Sequence, residues 1–233
     1  MIRFMLERQV KAIVIACNTA TSAAIELMRR KYPIPIVGME PAVKKAVDLG
    51  NGDGRILIAA TPVTVRGRKM AELVERVDTE RRADLLALPG LVQFAERGEF
   101  ASEAVEDYLR RQLAAFDLNN YSAFVLGCTH FNYFKDTLRR LLPGQVQFVD
   151  GNEGTVNRLK NLLQIGQPGT VKPAAAEPAG RAEENGVFCD GSGLPPALLG
   201  AEYYYSGCRV TDPGELAHLQ TCLARLEAML AIG

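Results

Sequence analysis

Apolar residues in this chain alternate between two rhythms. Short aliphatic and β-branched runs, bounded by turn residues, read as buried strands over 11–16, 35–38, 55–60, 84–88, 123–126 and 146–149. Between them, apolar positions recur at helical spacing over 19–31, 41–49, 62–77, 101–116 and 131–142. Pro41 and Pro62 stand at the first turns of two of these helices, where a missing N–H costs nothing. Strand and helix in strict alternation predict parallel sheets covered by helices, an α/β fold. Asn51-Gly-Asp-Gly54 reads as a turn. Residues 166–185 break the rhythm: Pro168, Pro173 and Pro178 defeat helix and central strand alike and predict a surface loop. Beyond it, Asp212-Pro-Gly-Glu215 starts a final helix, with Asp as cap and a stripe of Leu216, Leu219, Leu223, Leu226 and Leu230 expected to pack on its own domain.

One pattern occurs twice. Ala12-Ile-Val-Ile-Ala-Cys17-Asn-Thr19 is an apolar strand that delivers a cysteine into a polar turn before a helix, and Ala123-Phe-Val-Leu-Gly-Cys128-Thr-His130 repeats it. In open parallel sheets, ligands bind outside the carboxyl ends of strands. Both sulfurs are therefore expected where chemistry happens, each followed by the amides of a helix start. Inverting an amino-acid Cα needs a base on one face and an acid on the other. Two cysteines fill both roles, one as thiolate and one as thiol. A helix N-terminus stabilises a thiolate, and the same amides bind carboxylates. Cys189, Cys208 and Cys222 lack this context and read as structural.

Composition narrows the classes. With 27 basic and 27 acidic residues the chain has no basic footprint for nucleic acid. It has no apolar run of membrane-spanning length and no signal-peptide pattern, so a cytoplasmic location is expected. Five cysteines without a CxxC pair read as free thiols, and with two histidines a metal site is not expected. No electron-sink cofactor motif is visible, so catalysis would rest on positioning and oriented dipoles.

Ile15-Ala-Cys-Asn-Thr-Ala-Thr21 and Leu126-Gly-Cys-Thr-His130 resemble the paired signatures of the glutamate racemases, within the aspartate/glutamate racemase superfamily. Ile36-Val-Gly-Met-Glu-Pro41 and Ala60-Thr-Pro-Val-Thr64 match further family segments in order, so the resemblance covers about residues 4–165. It implies cofactor-free interconversion of L- and D-glutamate, supplying D-glutamate for peptidoglycan. Cys17 and Cys128 would be the acid/base thiols. Asn18, Thr19, Thr61 and Thr129 would bind substrate, and His130 would assist the second thiol. Glu96, closing a segment from Leu86 that looks like the family's, would support catalysis.

The resemblance also implies two similar lobes of mostly parallel sheet flanked by helices, with the active site between them: residues 42–149 in one, 1–41 with 150–233 in the other. The family opens with a strand ending in Asp-Ser-Gly, and that tripeptide occurs nowhere here. The first lobe is accordingly expected to be incomplete, with Cys17 lacking its assisting acid, little activity, and self-association, such as a homodimer, through exposed sheet edges. Asp150, at a strand end, is the expected fallback carboxylate. Two other readings stand beside the enzyme: a catalytically impaired remnant with a binding or regulatory role, and a sister racemase for aspartate or hydantoins.

Overall fold

The computed structural model describes residues 1–49, 54–165 and 201–232. The chain begins with α1 (Ile2–Glu7), β1 (Ile13–Ile15), α2 (Asn18–Lys31), β2 (Ile36–Gly38) and α3 (Val43–Leu49). It continues through β3 (Arg55–Ala60), α4 (Pro62–Val65), α5 (Arg68–Val77), β4 (Ala83–Ala87), α6 (Pro89–Glu96) and α7 (Glu103–Leu113). Then come β5 (Tyr121–Leu126), a 3-10 helix (Thr129–Phe134), α8 (Lys135–Leu141), β6 (Gln147–Val149) and α9 (Asn152–Leu162). A hairpin of β7 (Tyr204–Tyr205) and β8 (Cys208–Arg209) precedes the final helix α10 (Pro213–Leu230).

Strands β1 and β2 pair in parallel, Ile13 opposite Ile36 and Ile15 opposite Gly38. A second parallel sheet has the order β4-β3-β5-β6. Its central strands are buried on both faces, which is why Ile56–Ala60 and Ala123–Leu126 read as unbroken apolar runs. Successive residues face opposite ways. Leu57, Phe124 and Leu126 join Phe131, Phe134 and Leu138 on one face. Ile56, Ile58, Ala123 and Val125 join Val43, Ala46 and Met70 on the other. The small sheet has its own core around Ile13, Ile25 and Ile36.

Polar groups fix the start of the large sheet. Arg55 Nε and Nη2 each donate to a carboxylate oxygen of Asp84 at 2.7 Å, and Tyr121 Oη donates to Asp84 Oδ2 at 2.6 Å. The bidentate Arg55 pair holds the Asp84 carboxyl below its ordinary range. Burial, then the bond to Asp84, pushes the Tyr121 phenol up to about 12. This knot ties β3, β4 and β5 together at the end opposite the cysteines.

The expected elements form with several differences. The stretch 62–77 is two helices, because Gly67 turns extended (φ −73°, ψ 140°) and caps a new start. The helix expected over 131–142 starts at Thr129 as a 3-10 turn and becomes α only at Lys135. Helices α6 and α9 and the β7–β8 hairpin were not anticipated by periodicity. In α6 a Pro at the first turn follows directly on a strand, so no polar break marks the start. Asp212 caps α10 as expected, accepting from Glu215 N at 2.9 Å. The leucine stripe ends early: Leu230 is 79% exposed and Met229 takes the buried place. The expected loop at 166–185, residues 51–53 of the expected turn, and Cys189 lie outside the described residues. Among the described residues no helix is long and apolar enough to cross a membrane.

Candidate active site

Each cysteine sits two residues beyond a parallel strand and caps the helix that follows. Cys17 is the N-cap of α2, its Sγ accepting from Ala20 N at 3.5 Å, and it is exposed. Cys128 is the N-cap of the 3-10 helix and is buried. Close approach of β3 and β5 fixes where Cys128 emerges: Gly127 N donates to Ala59 O at 2.7 Å, and a Cβ on Gly127 would lie 2.6 Å from that oxygen. Only glycine fits there.

The Cys128 thiol is pushed up to about 11, burial outweighing the pull of the His130 and Phe131 amides toward the thiolate. Behind Cys128 runs a chain of polar contacts. His130 Nδ1 stands 3.8 Å from Cys128 Sγ, and His130 Nε2 stands 2.9 Å from Glu96 Oε1. Glu96 is the last residue of α6, so two elements of the large sheet's helical layer converge on one thiol. In such a relay the carboxylate orients the imidazole, and the imidazole can hold or pass a proton at the sulfur.

A second cluster joins the two sheets. Thr19 Oγ1, at the start of α2, is 2.8 Å from Thr61 Oγ1 and 3.2 Å from Thr64 Oγ1, and Thr61 and Thr64 are 3.1 Å apart. Thr61 also caps α4 through Thr64 N. Asn18 is buried, and its Oδ1 has no hydrogen-bond partner, an acceptor left waiting for a donor. Thr129 is half-buried beside Cys128, its carbonyl accepting from Asn132 Nδ2 at 3.2 Å.

The expected residues therefore fall into two groups. Cys128, Thr129, His130 and Glu96 gather at one strand end, and Cys17, Asn18, Thr19 and Thr61 at the other. Asp150 is engaged elsewhere, accepting from Asn152 N at 2.9 Å and pairing with Lys135 Nζ at 3.7 Å. Thr64 was missed as a site residue, although its place three residues after the cap Thr61 was a legible signal. A cleft of about 180 Å³ opens beside Asn18 and Thr64, between α2 and α5. Neither sulfur lines it, so it adjoins the thiol pair rather than containing it.

Comparison with known proteins places this arrangement. Residues 2–159 match the family described as Asp/Glu/Hydantoin racemase. Over 99% of its length the chain is 48% identical to the glutamate racemase of Campylobacter curvus, spanning 79% of that protein. It is 44% identical to glutamate racemase 2 of Bacillus subtilis, with 69% of this chain and 61% of that protein aligned. Among solved structures, Escherichia coli glutamate racemase, bound to L-glutamate and the activator UDP-MurNAc-Ala, superposes with a TM-score of 0.64. That match has 30% identity and covers 72% of this chain and 64% of that one. The Francisella tularensis glutamate racemase bound to D-glutamate has a TM-score of 0.58 at 25% identity, over 70% of this chain and 60% of that one. The family match over residues 2–159 and the identity to these relatives show that this chain belongs to the Asp/Glu/hydantoin racemase family, among its glutamate racemases.

Proposed function

We propose that the chain interconverts L- and D-glutamate, with Cys17 and Cys128 as the thiols that move the Cα proton. The observation carrying this reading is the placement of two cysteines as N-caps at matched strand ends, one of them backed by His130 and Glu96. In one direction the Cys17 thiolate takes the proton from Cα. The electron pair is held on Cα and the adjoining carboxylate, and the Cys128 thiol returns a proton to the opposite face. The elevated Cys128 pKa, about 11, supports its role as the proton-bearing partner in this direction. In the reverse direction Cys128 must give up that proton, and the His130 and Phe131 amides favour its thiolate. Asn18 Oδ1 is an acceptor suited to the substrate ammonium. The Thr19, Thr61 and Thr129 hydroxyls and helix-start amides suit the carboxylates.

The same reading assigns D-glutamate supply for peptidoglycan, a cytoplasmic location, a homodimer, and lobes made of residues 42–149 and of 1–41 with 150–233. Packing of α9 on β2 supports grouping Asn152–Leu162 with the small sheet, whereas α10 packs on the 3-10 helix of the other lobe. The test is circular-dichroism racemisation of L-glutamate, L-aspartate and a hydantoin, beside size-exclusion of the same sample. Turnover of glutamate alone, lost in both Cys→Ser variants, is the expected result, against the little activity expected from the missing Asp-Ser-Gly. Turnover of another substrate, or persistence without either cysteine, overturns the reading.

A further inference from the structure

Helix α10 grips the segment that carries Cys128 and His130. Arg225, 17% exposed at its side chain, makes the grip. Its Nε donates to Tyr133 O at 2.9 Å, and its Nη2 donates to Asp136 Oδ1 at 2.7 Å and to Phe100 O at 3.4 Å. Two of these three acceptors are backbone carbonyls. The guanidinium therefore fixes where the main chain runs, beyond pairing a charge.

What it fixes is a weak element. The 3-10 helix Thr129–Phe134 is poorly suited to hold itself, because its hydrogen-bond geometry is inferior to that of an α-helix. Tyr133, whose carbonyl Arg225 holds, stacks on Phe100 at 4.8 Å and lies 6.4 Å from the His130 ring. Three residues before Arg225, on the same face of α10, Cys222 packs against the same core as Tyr133. Tyr133 is thus held at its carbonyl by Arg225 and at its ring by Phe100. His130 reaches out from the same turn, 33% exposed at its side chain, with Glu96 and Cys128 as polar partners. A shift of the 3-10 turn by a fraction of an ångström would move the imidazole off the sulfur, to which it stands at only 3.8 Å.

We propose that Arg225 is a positioning residue for the Cys128–His130–Glu96 relay, clamping α10 onto the 3-10 turn so that His130 stays aimed at the Cys128 sulfur. The inference rests on the proposed role of Cys128, and its test is chosen to read the relay without substrate. Wild-type protein, Arg225→Ala, Arg225→Lys and His130→Asn are treated with iodoacetamide at pH 8 under reducing conditions. Alkylation of Cys17 and Cys128 is followed separately by peptide mass spectrometry. Lysine keeps the charge opposite Asp136 but cannot reach both carbonyls, so it probes the clamp with less risk to folding than alanine. The expected result is a loss of about 3- to 10-fold in Cys128 alkylation in both Arg225 variants, smaller for lysine, with Cys17 unchanged. Combined with His130→Asn, Arg225→Lys should add nothing further, because the imidazole it positions is gone. Equal changes at both cysteines, no change or faster reaction at Cys128, or full additivity with His130→Asn would overturn the proposal. If the alkylation pattern holds while glutamate is not racemised, the proposed function fails and the clamp stands. Racemisation with an unaltered Cys128 rate in Arg225→Lys is the converse.

Discussion

The buried Cys128 thiol should make this protein lose stability at alkaline pH by an amount that one substitution removes. In the folded chain its pKa rises from the ordinary 9.0 to about 11, mainly through burial. As pH climbs past 9, the unfolded thiol releases its proton while the folded one keeps it. Between the two values the folded state binds more protons, so stability falls with pH. Below pH 9 the contribution is fully present, and above 11 it is gone. A two-unit separation corresponds to about 3 kcal/mol. That is a large share of a typical stability of about 5–15 kcal/mol. The assay is urea unfolding in excess reductant at intervals from pH 8 to 11, for wild type and Cys128→Ser. Tyr121 and Tyr133, both raised to about 12, also steepen the alkaline limb, but they are present in both proteins and cancel in the difference. The difference in stability should therefore shrink by about 2 kcal/mol across the range, against serine, which does not ionise there. Cys17→Ser should flatten the slope only slightly, because the influence of Cys17 ranks well behind burial. Parallel pH dependences for wild type and Cys128→Ser would refute the reasoning.

Three further outcomes are expected. Cys17→Ser and Cys128→Ser should each reduce racemisation to background, while one of them retains Cα–H exchange into D₂O from a single enantiomer, read by proton NMR; full racemase activity in either would sink the two-thiol mechanism. Glu96→Gln, which leaves a weaker neutral partner 2.9 Å from His130 Nε2, should lower kcat by about 10- to 100-fold with little change in KM; an unchanged kcat would remove Glu96 from the relay. Gly127→Ala forces a methyl to within 2.6 Å of Ala59 O and must spread β3 from β5, so it should cost about 1–3 kcal/mol in unfolding experiments and displace Cys128 enough to suppress activity. A variant as stable and active as wild type would show that the strand ends yield freely.

How much of this was legible in the sequence depended on whether local pattern or distant packing decided it. Arg55–Ala60 was read to its exact limits because a fully buried parallel strand is an unbroken apolar run between turn residues. The strand-end places of both cysteines followed from the same logic. The break at Gly67 was not readable, since the apolar spacing continues across it and only the extended backbone of that glycine separates the helices. The 3-10 character of Thr129–Phe134 is likewise unmarked in its own residues, and Arg225, which holds its Tyr133 carbonyl, lies 92 residues beyond. Glu96 was reached through family resemblance alone; nothing in its local pattern marks a helix-end glutamate as the partner of a histidine 34 residues later. Thr64 ended a matched segment but was not singled out, because the bond that makes it a site neighbour comes from Thr19, at the start of α2.

The trio of Thr19, Thr61 and Thr64 has a consequence for a reaction that must run both ways. Each hydroxyl can donate or accept, and in the Thr19–Thr61 and Thr19–Thr64 pairs either oxygen can be the donor. The third contact runs one way, Thr61 Oγ1 donating to Thr64 Oγ1 at 3.1 Å, so the circuit does not reverse as a whole. What stays free is the Thr19 hydroxyl, which can donate to or accept from either neighbour without moving a heavy atom. A rigid array of amides offers one polarity for ever. Thr19 offers two, by bond rotation alone on the picosecond-to-nanosecond scale of side-chain rotors, so the start of α2 beside Cys17 can turn a proton or a lone pair outward while the frame stays still.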